Sequence, residues 1–201
     1  MIKSVIFDIG NVLVDFTWEK AFCDFGLEGE AFEKVANATV RHPGWLELDR
    51  GSITKEEAIE IFSKEAPEYR KHIERIYIEL VNMLKQYDYA IPWIKELKER
   101  GYKVYILSNW SKPAYEACKD NALNFLPLVD GAILSYQELL VKPDQKIYER
   151  ICTRYEIDPK EAVFLDDVIK NIEGARAYGL HAIHFQSYEQ AKAELEELLK
   201  K

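Results

Sequence analysis

Reactive side chains stand at the ends of several apolar runs. Asp8 follows Val-Ile-Phe, Ser108 follows Val-Tyr-Ile-Leu, the pair Asp166–Asp167 follows Val-Phe-Leu, and Lys142 precedes a proline in LLVKPDQ. Carboxylates that converge in an apolar sheet repel one another unless a cation or protons compensate, and carboxylate oxygens are ligands that Mg²⁺ prefers. A lysine and a hydroxyl beside such a metal form a receptor for a phosphoryl group. An aspartate at that place could act as a nucleophile.

Each of these residues also has an ordinary structural explanation. Asp8 could accept hydrogen bonds from turn amides, and Ser108 with Asn109 could cap a helix. Lys142 could be a solvated lysine, and Asp166–Asp167 could satisfy the free N–H groups of the next helix. The structural explanation is favoured for any one of them alone. Their joint occurrence after strands favours a site.

Five short runs rich in Val, Ile, Leu, Phe and Tyr predict the strands that would position these groups. The strands are predicted at 4–9, 103–108, 131–135, 162–167 and 181–185. Helices are predicted at 91–101, about 112–123, 144–156, 169–178 and 187–201, the last opening with a Ser187-x-x-Gln190 capping box. Nearly continuous apolar strands alternating with helices predict an α/β fold with a parallel sheet. Ligands of such sheets gather beyond the carboxyl ends of the strands.

The first crossover breaks this rhythm. Residues 17–88 contain no convincing strand but several amphipathic stretches, one of which starts at a Thr54-x-x-Glu57 capping box after the turn-like DRGS at 49–52. Such a crossover is too long for an ordinary connection. We therefore predict a core formed by 1–16 and 88–201, with an all-helical subdomain inserted at 17–87.

Composition narrows the class of partner. The 201 residues carry 27 Lys plus Arg against 35 Asp plus Glu, a formal net charge of −8. An acidic chain without a basic cluster argues against nucleic acid as a partner, and no apolar run approaches the length of a membrane span. The three cysteines show no metal-ligand spacing, and MIKSVIFDIG shows no leader pattern. A cytoplasmic protein is expected.

Four short motifs occur in a recognisable order: FDIGNVL at 7–13, LSN at 107–109, VKPD at 141–144 and FLDDVIKNIEGA at 164–175. Together they resemble the motifs of the haloacid dehalogenase superfamily over nearly the whole chain. FDxGNVLVD with a small helical cap resembles the sugar-phosphate phosphatase branch typified by a bacterial glucose-1-phosphate phosphatase. It is also similar to the amino-terminal phosphatase domain of soluble epoxide hydrolase. The resemblance implies a Rossmann-like core with a helical cap and Mg²⁺-dependent hydrolysis of a small phosphomonoester.

The resemblance also implies roles for the early motif residues. Asp8 would be the nucleophile, forming an aspartyl phosphate, and also a Mg²⁺ ligand, while Gly10 would offer its backbone carbonyl to the metal. Ser108 and the amide of Asn109 would hydrogen-bond the phosphoryl oxygens.

The later motifs supply charge and metal ligands in the same family pattern. Lys142 would neutralise the nucleophile and the phosphate. Asp167 would bind Mg²⁺ directly, and Asp166 would bind it through a water. Asn171 could support the same loop.

Gly10 departs from the common phosphatase pattern, which has an aspartate there to protonate the leaving oxygen and then activate water. General acid–base help of this kind contributes roughly 10²–10⁴-fold, and its loss matters least for good leaving groups. The departure predicts a preference for activated esters, such as sugar-1-phosphates. Asp15 and Asn11 are nearby replacements by sequence alone.

The predicted insert could contact a substrate through Trp18, the predicted loop Arg41–Trp45 and Arg50. Packing of the insert's helices is the better explanation for the tryptophans. His181 and His184 are predicted to be structural. The monomer would suffice to cover a site, but the sequence leaves the oligomeric state open.

Two other functions compete with the phosphatase. Gly10 favours a catalytically weak binding or regulatory protein that kept the site, whereas the intact set of Asp8, Ser108, Lys142 and Asp167 speaks against it. A 2-haloacid dehalogenase would use Asp8 to attack carbon and needs no metal. The Asp166–Asp167 pair and the lack of an arginine close after Asp8 argue against that enzyme.

Overall fold

The computed structural model describes residues 1–200 and contains both strands and helices in the predicted alternation. The strands are β1 (Ser4–Phe7), β2 (Val14–Phe16), β3 (Leu84–Gln86), β4 (Lys103–Ser108), β5 (Gly131–Leu134), β6 (Ala162–Asp166) and β7 (His181–His184). The helices are α1 (Trp18–Asp24), α2 (Gly29–Ala38), α3 (Pro43–Arg50), α4 (Lys55–Glu65), α5 (Arg70–Met83), α6 (Ala90–Glu99), α7 (Lys112–Cys118), α8 (Ser135–Glu138), α9 (Gln145–Arg154), α10 (Ile169–Tyr178) and α11 (Tyr188–Leu199). No helix in this part of the chain is both long and apolar enough to cross a membrane.

A five-stranded parallel sheet forms the core, in the order β5-β4-β1-β6-β7. The predicted α/β class and all five predicted core strands are confirmed. β1 is the central strand, and Phe7 pairs with Ile106 of β4 on one side and Leu165 of β6 on the other. Whatever follows Phe7 therefore lies between the carboxyl ends of β4 and β6.

Both faces of the sheet are buried, which explains the unbroken apolar character of its strands. Val5 and Phe7 pack into one cluster, where the Phe7 ring meets Trp93 of α6 edge-on at 4.8 Å. Ile6 points to the other face and packs into a second cluster with Tyr148 of α9. This two-sided packing makes β1 a fixed platform for the residue at its end.

A short antiparallel ribbon of β2 and β3 joins the core to a helical insert, residues 17–83, which contains α1–α5. Val14 pairs with Gln86 and Phe16 with Leu84. The prediction that 17–88 holds no strand is wrong at β3. β3 has only three residues, of which only Leu84 is buried, so it is too short to show the alternation of apolar and polar residues that predicts a strand.

The insert also corrects two local predictions. α3 begins at Pro43 and ends at Arg50, so it contains residues 43–45 of the predicted loop at 41–45 and the first two residues of the turn-like DRGS at 49–52. Pro at the first helical position and a left-handed Gly51 after the last explain both ends. The predicted Thr54–Glu57 capping box is confirmed at the start of α4.

Candidate active site

The carboxyl ends of β1, β4 and β6 meet at one cavity of about 210 Å³. Because these three strands are neighbours, Asp8, Ser108 and Asp166 are brought together although they are far apart in the chain. The core contributes Asp8, Gly10, Asn11, Asn109, Trp110, Ser111, Ala114, Lys142, Asp167, Val168 and Asn171 to the cavity wall. The ribbon and the insert contribute Phe16, Trp45, Asp49, Leu80 and Leu84.

Lys142 is a buried ammonium between two carboxylates. Its Nζ lies 2.8 Å from Asp8 Oδ1 and 2.6 Å from Asp166 Oδ2, with the lysine side chain only 1% exposed. It also donates a hydrogen bond to Leu107 O at 3.1 Å. Asp8 Oδ1 is paired with this ammonium, and no second donor contacts that oxygen within residues 1–200. That oxygen therefore keeps a lone pair available for chemistry.

Asp166 is held on all sides. Its Oδ1 accepts from Val168 N at 2.7 Å and Asn171 Nδ2 at 3.0 Å, and its Oδ2 accepts from Lys142 Nζ and from Asn171 Nδ2 at 3.1 Å. These bonds occupy both carboxylate oxygens, so the residue fixes Lys142 and the start of α10. Asn171 contacts this loop through its two hydrogen bonds to Asp166.

The side chain of Asp167 has a different partner from that of Asp166. Asn11, which adopts a left-handed backbone with φ of 54°, donates from Nδ2 to Asp167 Oδ2 at 3.0 Å. His184, predicted to be structural, hydrogen-bonds the backbone carbonyl of Asp167 through Nε2 at 2.9 Å. The loop after β1, which contains Asn11, is thus hydrogen-bonded directly to the loop after β6, which contains Asp167.

Negative charge is in excess at this edge of the sheet. Carboxylate oxygens of Asp8, Asp166 and Asp167 lie within 4.8 Å of one another. Burial, and to a lesser degree the charges of Asp166 and Asp167, raise the pKa of Asp8 to about 7 despite the opposing charge of Lys142. Burial likewise raises the pKa of Asp167, against the hydrogen bond from Asn11. One ammonium does not balance three carboxylates, and an all-oxygen donor set of this kind fits a hard divalent cation such as Mg²⁺.

The charges of Asp166 and Asp8 also act on the lysine. Burial alone would lower the pKa of Lys142, but the two carboxylates outweigh it and raise that pKa. The ammonium is therefore kept charged in a place where an isolated lysine would tend to lose its proton.

Ser108 and Asn109 have different surroundings. The Ser108 hydroxyl is buried without a hydrogen-bond partner within residues 1–200. An unpaired buried hydroxyl costs roughly 1–3 kcal/mol, which favours a ligand that would pair with it. Asn109 instead brackets the backbone of Lys142, accepting from Lys142 N at 2.8 Å and donating to Lys142 O at 3.1 Å.

Two candidate residues lie outside the cavity wall: Asp15, suggested by its nearness in sequence, and Trp18, suggested as a substrate contact of the insert. Asp15 lies between Val14 and Phe16 in β2, and successive strand residues point to opposite faces. Because Phe16 faces the cavity, Asp15 points away from it. Trp18 packs against Phe22 and Phe32 inside the insert, with ring centroids 5.2 and 5.7 Å away.

Asp49 is a cavity residue that the sequence did not reveal. It is half-buried near the end of α3. Burial first, and then the charge of Asp8, raise the pKa of Asp49 to about 7, although Lys142 opposes the shift. Nothing in its spacing from Asp8 signals this closeness, because the approach depends on how the insert folds back onto the core.

Comparison with known proteins agrees with the motifs and the fold. The chain is 24% identical to a sesquiterpene phosphatase of Aspergillus oryzae over 197 residues, covering 98% of this chain and 96% of the relative. It is 25% identical to a D-ribitol-5-phosphate phosphatase of Bacteroides thetaiotaomicron over 215 residues, covering 99% of both.

A solved structure extends the agreement to three dimensions. A haloacid dehalogenase-family enzyme of Bacteroides thetaiotaomicron, in complex with magnesium and inorganic phosphate, superposes with a TM-score of 0.70 at 22% identity, covering 94% of this chain and 98% of that one. The family model of haloacid dehalogenase-like hydrolases matches residues 2–179. This chain belongs to the haloacid dehalogenase-like hydrolases.

Proposed function

We propose that the protein is a Mg²⁺-dependent phosphatase that hydrolyses a small phosphomonoester through an aspartyl phosphate on Asp8. One observation carries the proposal: the buried Asp8 carboxylate lies 2.8 Å from the Lys142 ammonium, and both groups line the same cavity. A nucleophile needs an available lone pair, and a phosphoryl dianion needs a fixed positive charge. The phosphatase relatives support the same reaction class.

The first chemical step joins Asp8 to phosphorus. An Asp8 carboxylate oxygen attacks the phosphorus atom while the bond from phosphorus to the ester oxygen breaks, and that oxygen leaves with the electron pair. In the second step water attacks the same phosphorus, and the electron pair of the Asp8–phosphorus bond returns to the carboxylate. The products are an alcohol and inorganic phosphate.

Three core residues would stabilise the transferring group. Lys142 holds its positive charge beside the reacting oxygen. This charge offsets the repulsion between the Asp8 carboxylate and an approaching phosphate dianion. The Ser108 hydroxyl can donate its unused hydrogen bond to a phosphoryl oxygen. Asn109 fixes the backbone of Lys142 and so fixes the ammonium.

The carboxylates of Asp8 and Asp167, with the backbone carbonyl of Gly10, would hold the metal, and Asp166 would support it through a water. Mg²⁺ would neutralise the charge that builds up on the phosphoryl oxygens. The donor set fits because three carboxylates crowd one ammonium.

The wall above the phosphate site is mostly apolar. Phe16 and Trp45 stack with ring centroids 6.0 Å apart, and Leu80 and Leu84 continue the same wall. Among activated esters, such a wall favours an aromatic or isoprenoid leaving group over a sugar with several hydroxyls to satisfy. The sesquiterpene phosphatase relative agrees with this choice, whereas the D-ribitol-5-phosphate phosphatase does not.

Hydrolysis of p-nitrophenyl phosphate with and without Mg²⁺ tests the proposal. The native chain should be active with Mg²⁺ and inactive with a chelator, and Asp8→Asn should abolish turnover. Asp120→Asn, at an exposed position, is the matched control and should leave turnover unchanged. Farnesyl phosphate, glucose-1-phosphate and ribitol-5-phosphate then compare leaving groups. Activity that survives Asp8→Asn would overturn the mechanism.

Gly10 favours a second candidate, a binding protein that retains the site without turnover. That function predicts phosphate binding dependent on Lys142 with no release of product from any of these esters. The dehalogenase alternative has less support, because no arginine lines the cavity among the described residues and three carboxylates repel a halide. Chloride release from 2-chloropropionate would revive it.

A further inference from the structure

The position beside the nucleophile where a second carboxylate would stand is open. Gly10 lies two residues after Asp8 and lines the same cavity. A Cβ built on Gly10 meets no atom within 4 Å. The first-motif loop therefore supplies no proton donor here, and its neighbour Asn11 is engaged with Asp167.

Asp49 reaches this cavity from the other side. Of the cavity residues that the insert contributes, it is the one with an ionisable side chain. Its carboxylate has no hydrogen-bond or ion-pair partner within residues 1–200, and the nearby charges of Asp8 and Lys142 act on it through space. A carboxylate that lines the cavity without a protein partner is available to a group bound there.

The backbone of Asp49 is clamped to the core. Ser135, the fully buried first residue of α8, donates its hydroxyl to Asp49 O and accepts from Trp110 N at 2.8 Å. Gly51, with φ of 81°, packs so closely on α8 that a Cβ there would lie 2.6 Å from Tyr136 O. The end of α3 is thus held at a fixed distance from the reacting groups.

Three titratable groups face the Asp49 carboxyl: Asp8 and Lys142 from the core, and Tyr77 from α5, whose buried hydroxyl lacks a partner. Burial and the charge of Asp8, opposed by the charge of Lys142, leave the pKa of Asp49 at about 7. A group that titrates near neutrality can both give up and accept a proton at the working pH.

We propose that Asp49 is the general acid and base of this phosphatase and replaces the carboxylate that Gly10 lacks. The inference rests on the proposed function. In the first step the Asp49 carboxylic acid gives its proton to the leaving ester oxygen as the bond from that oxygen to phosphorus breaks. In the second step the Asp49 carboxylate takes a proton from the water that attacks phosphorus, and the electron pair of the broken bond returns to Asp8. Asp49 ends protonated, ready for the next cycle.

Asp49→Asn tests the role with two substrates. With an alkyl phosphate, whose leaving oxygen needs protonation, turnover should fall roughly 10²–10⁴-fold. With p-nitrophenyl phosphate the first step should be nearly intact and only the second slowed. Rapid mixing should then show a burst of about one nitrophenolate per enzyme, with phosphate trapped on the protein. An altered cavity shape would slow both substrates alike without a burst.

A relocated carboxylate provides the second arm. Because the space at Gly10 is open, Gly10→Asp in the Asp49→Asn background can place a carboxylate in the same cavity. The double variant should break down the phosphoenzyme at least 10-fold faster than Asp49→Asn. A double variant no faster than Asp49→Asn would overturn a role for the carboxylate itself.

The outcomes distinguish failure of the role proposed for Asp49 from failure of the proposed phosphatase activity. Turnover that is lost in Asp8→Asn but unchanged in Asp49→Asn overturns only the role of Asp49. A native chain that neither turns over these esters nor becomes labelled overturns the phosphatase and the role of Asp49 together. Asp120→Asn is again the control and should match the native chain throughout.

Discussion

Lys142 and Asp166 form an ion pair of 2.6 Å between Nζ and Oδ2, with side chains 1% and 0% exposed. Such a pair is stable only when each partner's charge is fully met. Asp166 also accepts hydrogen bonds from Val168 N and Asn171 Nδ2, so the lysine can interact with Asp8 at the same time. The pair therefore acts as a fixed source of positive charge for the nucleophile.

We predict that Lys142→Met destabilises the fold by about 3–5 kcal/mol, because it leaves Asp8 and Asp166 buried without a counter-charge. The loss should be smaller at about pH 5 than at about pH 8, since protonation relieves unpaired carboxylates. Urea denaturation at both pH values measures it. Lys146→Met, at an exposed lysine of the neighbouring helix, should change stability by less than about 0.5 kcal/mol. Equal effects of the two variants would refute the prediction.

Asp8, Ser108 and Asp166 could be found from sequence because each stands at or directly after the end of a predicted strand, whereas Lys142 lies in the connection between α8 and α9. Parallel strands bring their carboxyl ends to one edge, so Asp8, Ser108 and Asp166 had to meet once the strands were correctly assigned. Asp15 is suggested on a different ground, its nearness in sequence to Gly10, and it lies outside the cavity wall. Nearness in sequence to the first motif says nothing about which face of β2 a residue occupies.

Metal binding should be visible without any substrate. Mg²⁺ relieves the repulsion among Asp8, Asp166 and Asp167, so it should stabilise the folded protein by about 2.7 kcal/mol at 100 times its dissociation constant. Asp167→Asn should remove most of this gain, whereas the exposed Asp120→Asn should keep it. Thermal unfolding over a Mg²⁺ titration measures the effect. A midpoint that does not respond to Mg²⁺ in the native chain would contradict a metal site here.

The stability of the metal-free protein should depend on pH through Asp49. Burial raises the pKa of this carboxyl from 3.8 to about 7, so the folded chain holds the proton more tightly than the unfolded chain. The free energy of unfolding should therefore fall as pH rises between these two values.

Asp49→Asn removes that dependence. Relative to the native chain it should gain roughly 1–2 kcal/mol of stability between about pH 4 and pH 8, a value reduced because the carboxyl is only half-buried. Urea denaturation in chelator across this range gives the difference. A constant difference at every pH would show that Asp49 titrates in the same way folded and unfolded.

The contribution of Asp49 lies beyond sequence reasoning for a physical reason. DRGS is typical of a turn, and only the packing of α3 against α8 turns it into a helix end that faces the core. That packing depends on Ser135 and Tyr136, which lie far along the chain and show no pattern linking them to α3. Tertiary contacts, rather than local propensity, position the side chain.

The final prediction concerns the clamp itself. Gly51 and Gly26 have nearly the same backbone, with φ of 81° and 82°, but a Cβ at Gly51 would meet Tyr136 O at 2.6 Å whereas one at Gly26 meets nothing within 4 Å. Gly26→Ala should cost only the left-handed strain, about 1–2 kcal/mol. Gly51→Ala carries the same strain and must also push the end of α3 away from α8, because the backbone of Tyr136 cannot yield.

Only Gly51→Ala should therefore displace Asp49. At 25 °C, under conditions where both variants are folded, we expect Gly51→Ala to lower turnover of an alkyl phosphate by at least 10-fold. Gly26→Ala should turn over the same substrate at nearly the native rate. Steady-state assays beside denaturation curves separate the two effects, since strain alone lowers stability in both variants. If the two alanines reduce turnover equally, the close packing of Gly51 against Tyr136 has no part in positioning the Asp49 carboxylate for proton transfer.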